Sequence, residues 1–301
     1  MGQPLRPHHL RALPCPAPCY SHMLTIDCRH GRALFVTRPG MFLDIVVLDP
    51  LTGHERRVPS HNRQQPWFSG AVLCGGAAQG QGCDHHACQG GHFRVVLVST
   101  DWPSRVTSGR LYSSETSVWS ELTSVHHPDF LCDSNISAQS VLVGDALYFN
   151  ADAIIECQLG TLRLSMLQKP IDCGEHGAVM AAEDGGLGFA AVVGVTNLTM
   201  WSSVETGPEG AVGWAKLRVI DLSTLIPHGA LLISGNGTNR SSVRSSTEGA
   251  QVLFMTTCVG CDMVDLKSGR ARKVSCDGHT IFPYMRFYIP AMEAACTGQG
   301  G

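Results

Sequence analysis

Residues 46–58 read VVLDPLTGHERRV: an apolar run stops at Asp49-Pro50, turns through Thr52-Gly53, and resumes as a polar stretch ending at Val58. A short apolar run bounded by Asp, Pro and Gly marks a buried strand entering a tight turn. The charged half that follows fits a strand exposed on one side. Nearly the same phrase returns at 264–274 as VDLKSGRARKV, and more loosely at 111–122 as LYSSETSVWSEL. One copy is a hairpin, whereas recurrence makes it the unit of an architecture.

Taking the turn of each unit as a ruler gives Gly53, Ser117, Thr161, about Pro208 and Gly269. The intervals are about 64, 44, 47 and 61 residues, and both long ones hold a low-complexity segment. These are CGGAAQGQGCDHHACQGGH at 74–92 and SGNGTNRSSVRSSTEG at 234–249. Read as loop insertions, they leave a period of about 45 residues, the range of propellers with one sheet per repeat. Inside the units, SVLVGDALYF at 140–149 turns at Gly144-Asp145 and is followed by AIIECQL and LRLSML. The stretch 178–220 gives VMAA, LGFAAVV, LTMWSSV and GWAKLRVI, and 251–274 gives VLFMTT, CVGCDMVDL and ARKV. Short β-branched and aromatic runs of this kind predict an all-β fold, a β-propeller of about six four-stranded blades. Five blades are visible, and the sixth would combine HTIFPYMRFYIP at 279–290 with residues near the N-terminus. On this reading IVVLD is a third blade strand and HERRV the outermost. Arg56, Arg57, Arg270, Arg272 and Lys273 are then solvated edge charges that discourage stray strand pairing, and not a nucleic-acid patch.

Composition agrees. The 301 residues are 44% hydrophobic and 16% charged, with 33 Gly and 16 Pro, which suits many short elements and turns. A net charge of −3 gives no electrostatic reason to expect nucleic acid or an acidic membrane as partner. No stretch supplies the roughly 18 apolar residues of a membrane span; AVMAAEDGGLGFAAVVGV at 178–195 is broken by Glu183 and Asp184. The first 20 residues lack the apolar core of a secretory signal, so the expected location is intracellular, in cytoplasm and/or nucleus. The 13 cysteines are accordingly expected to be mostly small buried apolar residues and not a disulfide framework, and sequons such as Asn197-Leu198-Thr199 to be chance matches.

With the units laid out, the sequence resembles the C-terminal, kelch-like propeller of plant F-box proteins, the grass-type F-box-associated family. The matching stretches are DCRHGRALF (27–35), DPLTGHERRVP (49–59), FRVVLVSTDW (93–102), LYSSETSVWSE (111–121), SVLVGDALYF (140–149), AAEDGGLGFA (181–190), LKSGRARKV (266–274) and FPYMRFY (282–288). They run over 24–290 in the family's order, leaving 1–23 as an irregular segment and 291–301 as a tail. The resemblance implies a protein-interaction module that recognises a substrate protein for a cullin-type ubiquitin ligase. The family's F-box, which docks on the ligase adaptor, has no counterpart in the Pro-rich residues 1–23, so direct adaptor binding by this chain is not expected. The alternatives are a truncated paralogue outside any ligase, a non-functional fragment, and an enzyme built on a propeller.

Several residues invite a chemical reading. Cys74, Cys83, His85, His86, Cys88 and His92 are all metal-ligand types, and Cys83, His85, His86 and Cys88 are the candidates a metal would use. Their spacing lacks close pairs, and flanking glycines supply no rigid support, so a plain loop with no metal or cofactor is expected. Cys258-Val259-Gly260-Cys261 has CxxC spacing, read as two cysteines flanking a Val259-Gly260 turn. Gly186-Leu187-Gly188-Phe189-Ala190-Ala191 matches a dinucleotide fingerprint but continues as strand and not helix. Asp145, Glu183 and Asp184 sit beside glycines as turn residues. No catalytic residue is assigned. Trp119, Trp201 and Trp214 are expected to pack between blades, while Trp102 in STDWPS is a candidate exposed anchor for an unknown substrate protein.

Overall fold

The computed structural model describes residues 23–37, 44–50, 52–59, 68–75, 91–101, 103–127, 140–174, 177–206, 211–231, 241–247, 251–274 and 283. Its strands form five antiparallel meanders in chain order. Blade 1 holds β1 (Met23–Arg29), β2 (Arg32–Thr37), β3 (Ile45–Leu48) and β4 (Glu55–Val58). Blade 2 holds β5 (Phe68–Cys74), β6 (Phe93–Asp101), β7 (Val106–Ser113) and an outer position split between β8 (Val118–Trp119) and β9 (Thr123–His126), both paired to β7. Blade 3 holds β10 (Ser140–Val143), β11 (Ala146–Asn150), β12 (Ile154–Gln158) and β13 (Leu164–Leu167). Blade 4 holds β14 (Gly177–Ala181), β15 (Leu187–Val193), β16 (Asn197–Thr206) and β17 (Ala211–Asp221). Blade 5 holds β18 (Ser242–Ser246), β19 (Val252–Thr257), β20 (Gly260–Asp265) and β21 (Arg270–Val274). The first strands meet in the order β1, β5, β10, β14, β18, so the five sheets stand radially as a β-propeller.

The recurrent phrase is an outer hairpin closed by one piece of chemistry. In blade 1 Gly53 N donates to Asp49 O at 2.9 Å, and in blade 5 Gly269 N donates to Asp265 O at 2.9 Å. The same aspartates' Oδ1 atoms accept from Thr52 N, and from Lys267 N and Ser268 N. Gly53 and Gly269 have φ of 71° and 63°, the left-handed geometry that glycine adopts without strain. The inner hairpin of blade 1 turns on His30-Gly31, both at positive φ, the pattern of a tight hairpin turn matched to strand twist.

Each sheet buries both faces. Val72, Val95 and Tyr112 of blade 2 pack on Leu34, Val36 and Ile45 of blade 1. Leu147, Phe149 and Ile155 of blade 3 meet Ala71, Val96 and Val98. Phe189 and Trp201 of blade 4 meet Val141 and Ile154, and Leu253, Met255 and Val264 of blade 5 meet Met180, Ala190 and Leu198. Burying a large apolar side chain contributes about 1.5–3 kcal/mol, so these seams hold the ring. The charged outer strands behave as expected: Arg56, Arg57, Arg270 and Lys273 are exposed.

Three expectations need correction. The 234–249 segment is not all loop, because Ser242–Ser246 forms β18, the innermost strand of blade 5. Its SVRSS sequence hides the strand: serines fill a crowded inner position, and Val243 alone in the strand joins the apolar seam with blade 4. The loop read as 74–92 starts one residue later, since Cys74 is buried in β5 and the loop base is closed by Gly75 N donating to His92 O at 2.8 Å. In CVGC the turn residues are Cys258-Val259, with Gly260 opening β20 against Thr257, and Cys261 is disulfide-bonded. The proposed sixth blade lies outside the described residues.

Gly177 in β14 tests the blade 3–4 seam. A Cβ there would collide with the Phe189 ring and lie 2.8 Å from the Ala190 carbonyl oxygen. Gly177→Ala is expected to cost roughly 1–3 kcal/mol in urea unfolding. Gly160→Ala, where nothing lies within 4 Å, should be neutral within about 0.5 kcal/mol.

Candidate functional site

Four antiparallel strands alternate direction, so the inner and outer hairpin turns open on one rim of the ring. The middle turns and the blade-to-blade links open on the other. What these surfaces can do depends on which polar groups are already engaged.

Asp27 and Arg29 sit two residues apart on β1 and share a face. Both are buried, and Arg29 Nε lies 3.0 Å from Asp27 Oδ2. That carboxylate also accepts from Val72 N of β5 at 2.7 Å, while Arg29 Nη2 donates to Ser140 O and Oγ of β10 at 2.8 and 2.9 Å. One ion pair therefore fastens the inner strands of blades 1, 2 and 3. Nearby, His30 Nδ1 accepts from Cys74 N, and Arg32 Nη2 donates to Gly91 O while its guanidinium stacks 5.7 Å from the Phe93 ring centroid. These charges act as structural struts.

Arg244 is different. It is the bulged residue of β18, skipped between the Val243↔Met255 and Ser245↔Phe254 pairs, and a bulge re-aims the side chain it carries. Its Nε donates to Thr256 Oγ1 at 3.1 Å, and among the described residues it forms no salt bridge. Burial lowers its pKa from the ordinary arginine value, although the residue as a whole is exposed.

On the second rim, Asn150 Nδ2 donates to Gly177 O at 2.7 Å, while Asn150 Oδ1 and Asp152 Oδ2 are buried acceptors without a hydrogen-bond partner among the described residues. Lys169 lies beside them with its ammonium 5.8 Å from the Phe189 ring centroid. Burial lowers the Lys169 pKa, and the field of Asp152 opposes that shift. On blade 2 a buried chain runs from Thr100 Oγ1 to Thr107 Oγ1 to His127 Nε2, each step 2.9 Å. The thiols of Cys28, Cys157 and Cys173 are pushed up by burial, Cys157 to about 11, so they stay protonated and are weak nucleophiles.

Of the residues singled out by sequence, Cys83, His85, His86, Cys88 and Trp102 lie outside the described residues. Cys74 is held in β5 and His92 is exposed at the loop base, so the structure separates these two ends of the cysteine–histidine set by environment. Gly188 and Ala191 lie within strand β15, which pairs with β16, and no helix opens there. Asp145, Glu183 and Asp184 occupy turns, with Asp184 Oδ1 accepting from Gly186 N. Trp119, Trp201 and Trp214 pack between blades, and the indoles of Trp119 and Trp214 donate to Pro59 O and Gln168 O. Asp27 and Arg29 were legible only as an alternating pair, and Arg244 lay inside a stretch read as loop. Among the described residues no helix is long and apolar enough to cross a membrane.

No family model and no curated protein matches the chain. It is similar to solved structures at low identity. An α-L-arabinanase of Penicillium chrysogenum shares 9% identity at a TM-score of 0.44, over 87% of this chain and 83% of that one. The WD40 domain of SCAP from fission yeast shares 13% at 0.41, over 87% and 56%. An auxiliary nutrient binding protein of Bacteroides thetaiotaomicron shares 11% at 0.39, over 83% of this chain, which spans 55% of that protein's length. None of these likenesses bears on activity or ligand.

Burial, the largest cause, holds the His127 imidazole below its ordinary value, so the folded state binds that proton less readily than the unfolded chain. Its contribution to stability is intact above about pH 6.5 and is lost as pH falls from there toward the folded value. His127→Gln should remove this loss from the stability–pH curve measured by urea unfolding. In a separate series Arg29→Met should cost about 3–5 kcal/mol, because it strands a buried carboxylate.

Proposed function

We propose that this chain is a protein-interaction module that captures a protein partner on its rims, in the role of a substrate receptor for a cullin-type ubiquitin ligase. The ligase role rests on the resemblance to F-box-associated propellers. The observation that carries the binding role is the disposition of charge. Asp27 and Arg29, the titratable pair on β1, answer each other and the backbone of two neighbouring blades, so they are committed to holding the ring. Binding capacity is left at exposed turns such as those around Glu115 and Lys267, and at the exposed Arg244 of the innermost strand β18. Propeller rims are loop surfaces carried on a rigid scaffold, the usual place for recognition. On this reading the chain performs no chemistry of its own, and the ligase adaptor is reached through another chain or through residues outside this sequence.

Photo-crosslinking amino acids placed at Glu115 and Lys267 on the first rim, and at Asp172 on the second, test this in plant extract. A specific protein adduct at one rim, with no heat of binding when the purified adaptor is titrated in, is the expected result. Tight direct adaptor binding, or small-molecule turnover without any captured protein, would overturn it.

A further inference from the structure

Each blade begins with an inner strand, and charge is scarce on these strands. Among the described residues β5, β10 and β14 carry none, β1 carries Asp27 and Arg29, which pair with each other, and β18 carries Arg244. Arg244 forms no ion pair, and it alone of the five residues of β18 is exposed. Its side chain is nevertheless anchored. Nε donates to Thr256 Oγ1 at 3.1 Å, and Thr256 Oγ1 shares a 2.8 Å hydrogen bond with Ser242 Oγ. With Nε engaged, the two Nη atoms form the free end of the guanidinium.

The backbone explains this placement. Inner strands β1 and β18 each carry a bulge midway along their length, with Ile26 the extra residue in one and Arg244 in the other. In blade 1 the bulged isoleucine is buried in the seam with blade 2, whereas blade 5 puts an exposed cation at the matching point. Ser245 pairs with Phe254, and Ser242 pairs with Thr256, two residues along β19 from Phe254. Ser242, Ser245, Thr256 and the Arg244 side chain that reaches Thr256 therefore share the face turned away from blade 4. Ser245 is fully buried, and its Oγ has no hydrogen-bond partner among the described residues. This face thus holds a cation without a counter-charge and a hydroxyl without an acceptor.

We propose that Arg244 receives a carboxylate side chain of the protein partner at the inner edge of blade 5. The two Nη atoms match the two oxygens of a carboxylate, the bidentate geometry that makes such pairs strong and specific. Charge selects a monoanion over a phosphoryl group. Arg270 and Arg272, the other described cations of this sheet face, stand on β21, about 14 Å away across three strand spacings. No second cation is therefore at hand to neutralise a phosphoryl dianion. This rests on the interaction reading and deepens it by naming the group the partner presents.

The test presents the immobilised full chain with phage-displayed random heptapeptides at low salt. Recovered peptides should share an Asp or Glu, and its replacement by Asn or Gln in the synthetic peptide should weaken binding at least about tenfold. Phosphoserine in its place should bind no more tightly. Arg244→Gln should abolish the difference between the acidic and amide peptides, Arg244→Lys should reduce it, and Arg272→Gln should leave it intact, each variant being shown folded by a cooperative urea transition. Recovery of no such peptide, an amide peptide that binds as tightly, a tighter phosphoserine peptide, or a preference that survives Arg244→Gln would overturn the proposal. Rim crosslinks that persist alongside any of these results would remove this assignment and leave the interaction reading standing.

Discussion

A four-stranded sheet that is apolar on both faces cannot stand alone, and everything else in this molecule follows from that constraint. Phe149 and Phe189 are fully buried, yet they lie in different seams, one between blades 2 and 3 and the other between blades 3 and 4. Blade 3 therefore needs a neighbour on each side. The same holds at the ends of the described series. Phe35 and Val46 of blade 1, and Phe254 and Met263 of blade 5, are buried on the faces turned away from blades 2 and 4. Two-sided burial with close radial spacing is what makes the strands short and the inner positions crowded.

Crowding at the inner strands explains where charge is tolerated. An ion pair removed from water stabilises a fold only when its remaining lone pairs and protons are met, and otherwise desolvation dominates. Asp27 and Arg29 satisfy this by using Val72 N and the Ser140 backbone and hydroxyl oxygens, so their contribution lies in fixing how three blades meet. Arg244 escapes the requirement because a bulge turns it toward solvent. The Asp27–Arg29 pair is thereby committed to structure, while Arg244, also on an inner strand, is left exposed.

The outer hairpins were the most legible part of the sequence, because their chemistry is local. An aspartate, a short polar turn and a glycine close within a few residues at Asp49–Gly53 and Asp265–Gly269. The apolar third strands stand out for the same reason, since IVVL is buried at every position. What escaped was set by long-range context. The strand SVRSS has no apolar alternation and becomes a strand because β19 pairs with it and Val243 meets blade 4. The Arg29–Ser140 bond joins residues 111 apart, beyond any periodicity argument. The length of β17 was hidden because GWAKLRVI reads as an ordinary strand, and only its partner β16 reveals how far the pairing runs. The split outer position of blade 2 follows from Ser120 to Leu122, which interrupt pairing without any Gly or Pro to announce it.

Radial closure is the claim on which the architecture and the binding role both stand, and distances between outer turns test it directly. Spin labels carried by unnatural amino acids at the exposed positions Thr52, Glu115, Thr161, Glu205 and Lys267 sample the five blades in order. Measured from Thr52 by pulsed electron resonance, the distance should rise from Glu115 to Thr161 and turn back before the last blade, with Lys267 nearer than Glu205. A distance that grows steadily from blade 1 to blade 5 would mean an open stack of sheets and would contradict the account.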